Sequence, residues 1–309
     1  MPRVLVLMST YNGEKYLAEQ LESIMNQTGV DVNLLIRDDG STDKTLEILK
    51  HFCSTYPQKI LLSSGENIGV INSYYNLIET VQEDYDYFAF ADQDDVWLID
   101  RLQRAIGLLK LEEEKSPDIP LLYCSSTTMF DDKRILGIWP LIPKRELTVF
   151  NALAENVVVG CTVVINKHSK QLLVKLKPNT KDIIMHDWWM YICVSLFGKI
   201  IFDDFPTVLY RQHSSNLVGG DTGVRLLVKR MSRFILNAER KRSRQLKELV
   251  NVLCKNNMGT ILSESISSLV DYEKKSFISR VMIAFNLPIY KQHSINTFFL
   301  RLSIVFKRY

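Results

Sequence analysis

The stretch R-V-L-V-L-M-S-T-Y-N-G-E-K-Y-L-A-E-Q-L-E-S-I-M-N-Q-T-G-V-D-V-N-L-L-I-R-D-D-G-S, residues 3–41, decides the fold. Arg3–Met8 is an apolar run of strand length, and a run that does not alternate belongs to a strand covered on both faces. Tyr16–Gln27 then puts Leu17, Leu21, Ile24 and Met25 on one helical face, and Val32–Arg37 reads as a second strand. Strand, helix, strand at this spacing is a parallel pair joined by a crossover helix. The unit repeats outward: a helix at Thr42–Phe52 with Leu46 and Leu49 inward, a strand at Lys59–Ser63, a helix at Val70–Val81 and a strand at Tyr87–Ala91. Beyond them come a helix at Arg101–Glu114, ended by Ser116-Pro117, and a strand at Leu121–Phe130; Asp131-Asp132-Lys133 signals a turn that opens a hairpin or excursion. A helix from Leu147, a strand at Val157–Ile165, a helix near Asp187 and a strand at Lys199–Phe202 follow. The pattern predicts an α/β chain with a mostly parallel central sheet and helices on both faces.

With 309 residues, 46% hydrophobic and 24% charged, the chain has material for a large core and is not a disordered protein. Its charge is uneven. Val224–Tyr309 holds 17 Lys/Arg against 5 Asp/Glu, which leaves 21 and 30 for the rest. Together with Gly219-Gly220, this shift sets a boundary near Gly220–Gly223, between an α/β domain at 1–220 and a basic, mostly helical region at 221–309. Arg225–Leu253 interleaves basic and apolar residues, a pattern drawn to an anionic membrane surface by about 1 kcal/mol per basic residue near the lipid. The terminal run Phe298–Tyr309 adds to it. The plainer alternative is a helical appendage packed on the α/β domain or on a second copy of the chain as a homodimer. Nucleic acid is disfavoured by the acidic front half and the lack of a recognisable module.

Five cysteines without a C-x-x-C pair indicate neither a disulfide framework nor a zinc knuckle, and fit a reducing cytoplasm. The start, M-P-R-V-L-V-L-M-S-T-Y-N, reads as a strand and not as a signal peptide. The longest apolar stretches are too short or too interrupted to cross a bilayer, so any membrane contact is peripheral, on the inner face of the plasma membrane.

In an open parallel sheet, ligands bind beyond the carboxyl ends of the strands where the strand order reverses. The polar residues of this chain gather there: Ser9-Thr10-Tyr11-Asn12-Gly13 after the first strand, Asp38-Asp39-Gly40-Ser41 after the second, and Asp92-Gln93-Asp94-Asp95 after Tyr87–Ala91. No G-x-G-x-x-G follows strand one and no P-loop is present, so the nucleotide site is of another kind. Three carboxylates in four residues repel one another unless protons or a cation intervene. Asp92 and Asp94 point to one side of an extended chain and can share a hard ion, Mn²⁺ or Mg²⁺, whose shell phosphate oxygens complete. The bland alternative is a solvated turn with a capping Asp. One of Asp38 and Asp39 exceeds what capping needs, and a carboxylate there can accept the imide N–H of a pyrimidine against which Tyr11 packs; core packing is the competing role for Tyr11. His213 either donates to a diphosphate or completes the metal shell, with Arg211 adding positive charge; both residues also fit as ordinary polar groups. Trp97, Trp188 and Trp189 are candidate acceptor walls or core, Asp100 a candidate N-cap, and His51, His168 and His293 structural or exposed.

Taken together, M-S-T-Y-N-G at 8–13, R-D-D-G-S-T-D at 37–43, E-N-I-G-V at 66–70 and D-Q-D-D-V-W at 92–97 resemble inverting glycosyltransferases of family 2. G-C-T-V-V-I-N at 160–166, H-D-W-W at 186–189 and Y-R-Q-H-S-S-N-L-V-G at 210–219 extend the likeness over about the first 220 residues. The whole is most similar to bacterial rhamnosyltransferases that build cell-wall, capsular or O-antigen polysaccharides. The resemblance implies the GT-A nucleotide-diphospho-sugar fold, a dTDP-L-rhamnose donor and a lipid-linked saccharide acceptor. It implies that Thr10, Tyr11 and Asp39 hold the nucleoside, with Asn67 and Gly69 near the phosphates. Asp94 would touch the metal directly and Asp92 the ribose or a metal-bound water, while Asp187 matches the catalytic base. His186 stands where many relatives have Glu. Inversion needs one base for the incoming hydroxyl and one stabiliser for the departing diphosphate. The paired carboxylates of a glycoside hydrolase are disfavoured, because Asp92 and Asp94 lie on the same side of any ligand. A UDP-hexose or UDP-N-acetylhexosamine donor, and a non-catalytic nucleotide-sugar scaffold, are the alternatives.

Overall fold

The computed structural model describes residues 1–81, 84–131, 134–213, 241–261 and 264–309. Four strands follow the anticipated order, β1 (Arg3–Thr10), β2 (Asp31–Asp38), β3 (Ile60–Ser64) and β4 (Tyr87–Ala91), and the two-residue β5 (Val96–Trp97) is an addition. Between them lie α1 (Leu17–Met25), α2 (Thr45–Thr55) and α3 (Val70–Thr80), and α4 (Arg101–Glu113) follows. Leu121–Phe130 is not one strand. It divides into β6 (Leu121–Ser125) and β7 (Thr127–Phe130), because the buried Ser126 bonds its N–H to Asp203 O at 3.0 Å and the chain passes from one sheet to another. β7 turns back as β8 (Ile135–Trp139), the expected hairpin. The chain continues through α5 (Val149–Ala152), a 3₁₀ turn at Gly160–Thr162, β9 (Val164–Asn166), α6 (Lys167–Lys175), α7 (His186–Phe197), β10 (Lys199–Asp203) and β11 (Val208–Arg211).

A seven-stranded sheet has the order β10-β6-β9-β4-β1-β2-β3, and β5-β11-β7-β8 form a second, four-stranded sheet. Val157–Ile165 was expected as a full strand, but Thr162 closes the 3₁₀ turn on Val159 O through both its N–H and its hydroxyl, leaving only three residues for β9. β9 runs antiparallel to both its neighbours, and the other pairings of the large sheet are parallel.

Alternation along β1 explains the layers. Val4, Val6 and Met8 pack with Leu17 and Leu21 of α1, Leu49 of α2, and Leu102 and Leu109 of α4. Leu5 and Leu7 face the opposite layer, with Leu77 and Ile78 of α3 and Trp189 and Met190 of α7. Burying a side chain such as Leu7 completely contributes about 1.5–3 kcal/mol. The C-terminal helices share that second layer: Leu246, Leu249 and Leu253 of the helix Lys241–Lys255, together with Tyr272, Leu300 and Ile304, belong to one core with α3 and α7. The boundary near Gly220–Gly223, and Arg225–Arg240 of the basic segment, lie outside the described residues.

Register brings the site together. Met8 pairs with Ile36 and Ala91, Thr10 with Asp38, and Asp38 with Ser64, so the carboxyl ends of β1, β2, β3 and β4 form one edge. β1 has β2 on one side and β4 on the other, which places the reversal of strand order, and therefore the crevice, between β1 and β4.

Candidate active site

Two loops over β1 and β2 are knitted by side chains. Thr10 Oγ1 donates to Asp38 Oδ1 (3.0 Å), and Asp38 also accepts from the N–H and hydroxyl of Ser41 at 2.9 and 2.6 Å. Asp39 accepts from Arg37 and from the N–H groups of Ile68 (2.9 Å) and Gly69 (2.8 Å), so its carboxylate pins the β3–α3 loop to β2. Gly40, at φ +81°, passes so close to that loop that a Cβ would lie 3.2 Å from Asn67 N. Asn67 is exposed and its Oδ1 accepts from Gly69 N at 3.1 Å. Tyr11 is 48% exposed, so its ring is open at the mouth of the crevice and not core.

Gln93, the middle residue of the D-x-D string, grips the Tyr11 backbone from both sides. Its Oε1 accepts the Tyr11 N–H at 2.9 Å and its Nε2 donates to the Tyr11 carbonyl at 3.0 Å. A Cβ on Gly13 would fall 2.4 Å from Gln93 Oε1, so this clamp requires glycine there.

The three aspartates differ. Asp92 Oδ1 accepts from the Tyr74 hydroxyl (3.2 Å), which also lies 2.8 Å from Ala91 O; burial and then the charge of Asp94 push the Asp92 carboxyl up. Asp94 Oδ2 is 2.7 Å from His213 Nε2, and both groups keep some exposure. Asp95 is buried beneath them. Its Oδ1 accepts from Arg211 N at 3.1 Å, its Oδ2 has no hydrogen-bond partner among the described residues, and burial together with its acidic neighbours holds it well above the ordinary range. Asp92, Asp95 and Cys161 present ligand atoms within 4.8 Å of one another. Burial pushes the Cys161 thiol up, and its soft sulfur is a poor match for the hard ions Mn²⁺ and Mg²⁺. Asp94 and His213 stand outside that cluster; with Asp92 they offer carboxylate oxygens and an imidazole nitrogen, donors whose chemistry suits Mn²⁺ and, through the oxygens, Mg²⁺.

Arg211 was expected to face a diphosphate. It is instead buried, with Nε donating to Asp94 O at 2.9 Å, Nη2 paired with Glu19, and its guanidinium between the rings of Tyr16 (4.3 Å) and Phe130 (4.4 Å). The charge is enclosed by protein, and what it does is hold the Asp94 backbone in place.

Asp187 lies in the first turn of α7 and is 8% exposed. Burial lifts its carboxyl to about 6, against the opposing effect of hydrogen bonds from Trp188 N–H (2.6 Å), the Asn156 side chain and Gly160 N–H. His186 is also buried, its pKa lowered to about 3 by desolvation, so the ring is neutral. It stacks on Tyr74 with 4.2 Å between centroids, and its Nδ1 has no hydrogen-bond partner among the described residues. Tyr74 therefore touches the acidic motif with its hydroxyl and α7 with its ring. A Cβ on Gly160 would come within 3.3 Å of His186 Nε2 and 3.6 Å of Asp187 Cβ.

Among the tryptophans, Trp97 lies buried under Arg101 and Trp189 is fully buried, so both are core. Trp188 is half-buried and donates to Ala152 O at 2.7 Å. Asp100 makes no capping hydrogen bond, His51 and His293 are exposed, and His168 pairs with Asp118 at 3.5 Å. The described structure thus gathers Thr10, Tyr11, Asp39, Asn67, Gly69, Asp92, Asp94, His213 and Asp187 along one edge. Tyr74 is an addition that no sequence signal marked, and Gln93 and Gly160 are additions that lie inside motif strings without a role having been expected of them.

A mixed α/β sheet with an acidic D-x-D string at its switch point defines the GT-A class of nucleotide-sugar transferase folds. The Glycosyl transferase family 2 profile matches residues 5–173, and the chain belongs to that family. It is 36% identical over 234 residues to the dTDP-rhamnosyl transferase RfbG of Shigella flexneri, covering 72% of this chain and 78% of that protein. It is 24% identical over 218 residues to the uncharacterized glycosyltransferase alr2836 of Nostoc sp., covering 69% of this chain and 66% of that one. Among solved structures, S. aureus TarS 1-349 in complex with UDP superimposes with a TM-score of 0.54 at 16% identity, over 99% of this chain and 89% of that one. The mannosyltransferase PcManGT from Pyrobaculum calidifontis, in complex with GDP-Man and Mn²⁺, does so with a TM-score of 0.50 at 16% identity, over 99% and 87%. At that identity the two structures establish a common fold and nothing finer.

Proposed function

We propose that this glycosyltransferase moves L-rhamnose from dTDP-L-rhamnose, with inversion, onto a hydroxyl of a lipid-linked precursor of a bacterial surface polysaccharide. The donor assignment draws its support from the likeness to a protein named a dTDP-rhamnosyl transferase. The chemistry rests on one observation: Tyr74 bonds Asp92 and stacks on His186, so the acidic motif and the buried Asp187 are held one aromatic ring apart.

Asp187 accepts the proton of the acceptor hydroxyl as its oxygen attacks the anomeric carbon, and the bond to the diphosphate breaks with its electron pair leaving on dTDP. A carboxyl lifted to about 6 is ionised at neutral pH and is a stronger base than a solvated one. Thr10, Tyr11 and Asp39 receive the nucleoside, and Asn67 and Gly69 border the phosphates. Asp94, Asp92 and His213 would hold Mn²⁺ or Mg²⁺. When bound, that ion supplies Lewis-acid neutralisation of the departing diphosphate. Asp95 and Arg211 keep the ligating residues in position.

The test is incubation with dTDP-L-rhamnose, UDP-hexoses and UDP-N-acetylhexosamines, with Mn²⁺ and with chelator, scored by nucleoside diphosphate release in the presence of lipid-linked saccharides. Metal-dependent turnover of dTDP-L-rhamnose is the expected result. Turnover of a UDP-sugar alone discards the rhamnose assignment, and donor binding without any turnover favours a scaffold.

A further inference from the structure

Two helices near the carboxyl end carry an apolar face whose large side chains keep much of their surface exposed. Ile278, Met282 and Phe285 recur on the helix Phe277–Asn286, and Ile295, Phe298 and Phe299 on the helix Ser294–Val305, each between 44% and 73% exposed. The opposite sides of the same helices are anchored: Ala284, Leu287, Leu300 and Ile304 belong to the core, and Arg280 Nε donates to Val305 O at 2.8 Å. The hairpin is therefore fixed to the protein while presenting large aromatic and aliphatic side chains to its surroundings.

Charge decides what fits this face. Lys274–Tyr309 contains seven Lys/Arg and no Asp/Glu, and Lys275, Lys307 and Arg308 are exposed at the ends of the two helices. Arg280 and Arg301 lie over the rings of Phe277 and Phe285, at 5.8 and 5.7 Å. An apolar stripe on a stretch of chain with seven basic and no acidic side chains of its own repels its own copy across a two-fold interface and complements a surface of anions over hydrocarbon. We propose that the hairpin Phe277–Val305 is an interfacial membrane anchor, seated in the headgroup layer of an anionic bilayer. No described helix is long and apolar enough to cross a membrane, so the hairpin lies in the interface. Of the segment Arg225–Leu253, the described part turns Leu246, Leu249 and Leu253 into the core.

The anchor is joined to the site through one short segment. Asn151 Nδ2 donates to Tyr290 O at 3.0 Å and Thr148 Oγ1 is 2.9 Å from the Tyr290 hydroxyl, while the next residues meet α7 through Trp188 Nε1 to Ala152 O and Asn156 to Asp187. An acceptor held in the same bilayer would reach the chain on the side that carries the base.

Flotation of the full chain with phosphatidylcholine vesicles, with and without phosphatidylglycerol, tests the proposal without any sugar nucleotide, so its outcome is independent of the donor assignment. The wild type should float with the anionic vesicles about ten-fold more than with neutral ones, and less as salt is raised. Ile278→Glu with Phe298→Glu should abolish flotation while leaving the circular dichroism spectrum unchanged. Phe298→Trp should shift its emission to the blue on addition of anionic vesicles. Wild type that stays soluble, a double variant that floats undiminished, or an unshifted Phe298→Trp emission overturns the proposal. So does a wild-type dimer that ignores vesicles and that the double variant dissolves, which would assign the face to a second copy.

Discussion

The loops over β1 and β2 and the ground around Asp187 are opposite in how their polar groups are served. In the first, each carboxylate oxygen of Asp38 and Asp39 has a donor, and Gln93 closes the Tyr11 backbone on both sides. In the second, Asp95 Oδ2 and His186 Nδ1 go without hydrogen bonds among the described residues, and Asp92, Asp95 and Asp187 all titrate higher than solvated acids. A satisfied network is scaffold, and losing one of its members costs stability. Charged groups held against their solvation preference are kept at that cost for what they do to a ligand.

Asp187→Asn should separate the two regions most sharply. Turnover should fall by about 10²–10⁴-fold, the range of a lost general base. Stability should rise. The folded carboxyl titrates at about 6 and the unfolded one near 3.8, so above pH 6 the ionised group costs the fold up to about 3 kcal/mol, which Asn does not impose. Thermal melting at pH 7.5 checks the gain, and the gain should vanish as pH falls below about 4, where the group is protonated in both states. The rate itself offers the second test: log kcat should fall with unit slope below about pH 6, because the protonated carboxyl cannot accept the acceptor's proton.

On the scaffold side the sign reverses. Asp39→Asn, which cannot accept from Arg37, Ile68 and Gly69 with both oxygens, should lower stability by about 1–3 kcal/mol in urea unfolding and weaken donor binding in calorimetry. The smallest effect is expected from Gly160→Ala. Its methyl would press on His186 Nε2 and Asp187 Cβ, so kcat should fall about ten-fold while the urea midpoint changes by less than the equivalent of about 1 kcal/mol. A stabilised Asp39→Asn, or a destabilised Asp187→Asn, would erase the distinction.

The half of the fold built on β1 to β4 was legible because β1 and β4 are apolar on both faces and its helices show one inward stripe. The later half was less so. An apolar run such as Val157–Ile165 reads alike in either direction, so nothing in it announces that β9 is reversed or shortened by a turn. The small sheet escaped notice because β5 has only two residues and β7 continues β6 without a turn signal. In the site, Asp92, Asp94, Asp187 and His213 stand out as polar residues at strand and helix ends. Tyr74 does not, since in I-N-S-Y-Y-N-L it reads as helix core, and the partners of Gln93 and Arg211 lie 82 and 192 positions away in the chain.

The reversal of β9 has a consequence for which length changes the chain can absorb. Parallel strands deliver their trailing loops to the catalytic edge, but an antiparallel one delivers the residues that precede it, here Asn156 and Gly160, which donate to Asp187. One residue inserted or deleted between Val157 and Val163 would displace those donors by about 3.3 Å relative to α7. Homologues should therefore keep the spacing ahead of β9 constant.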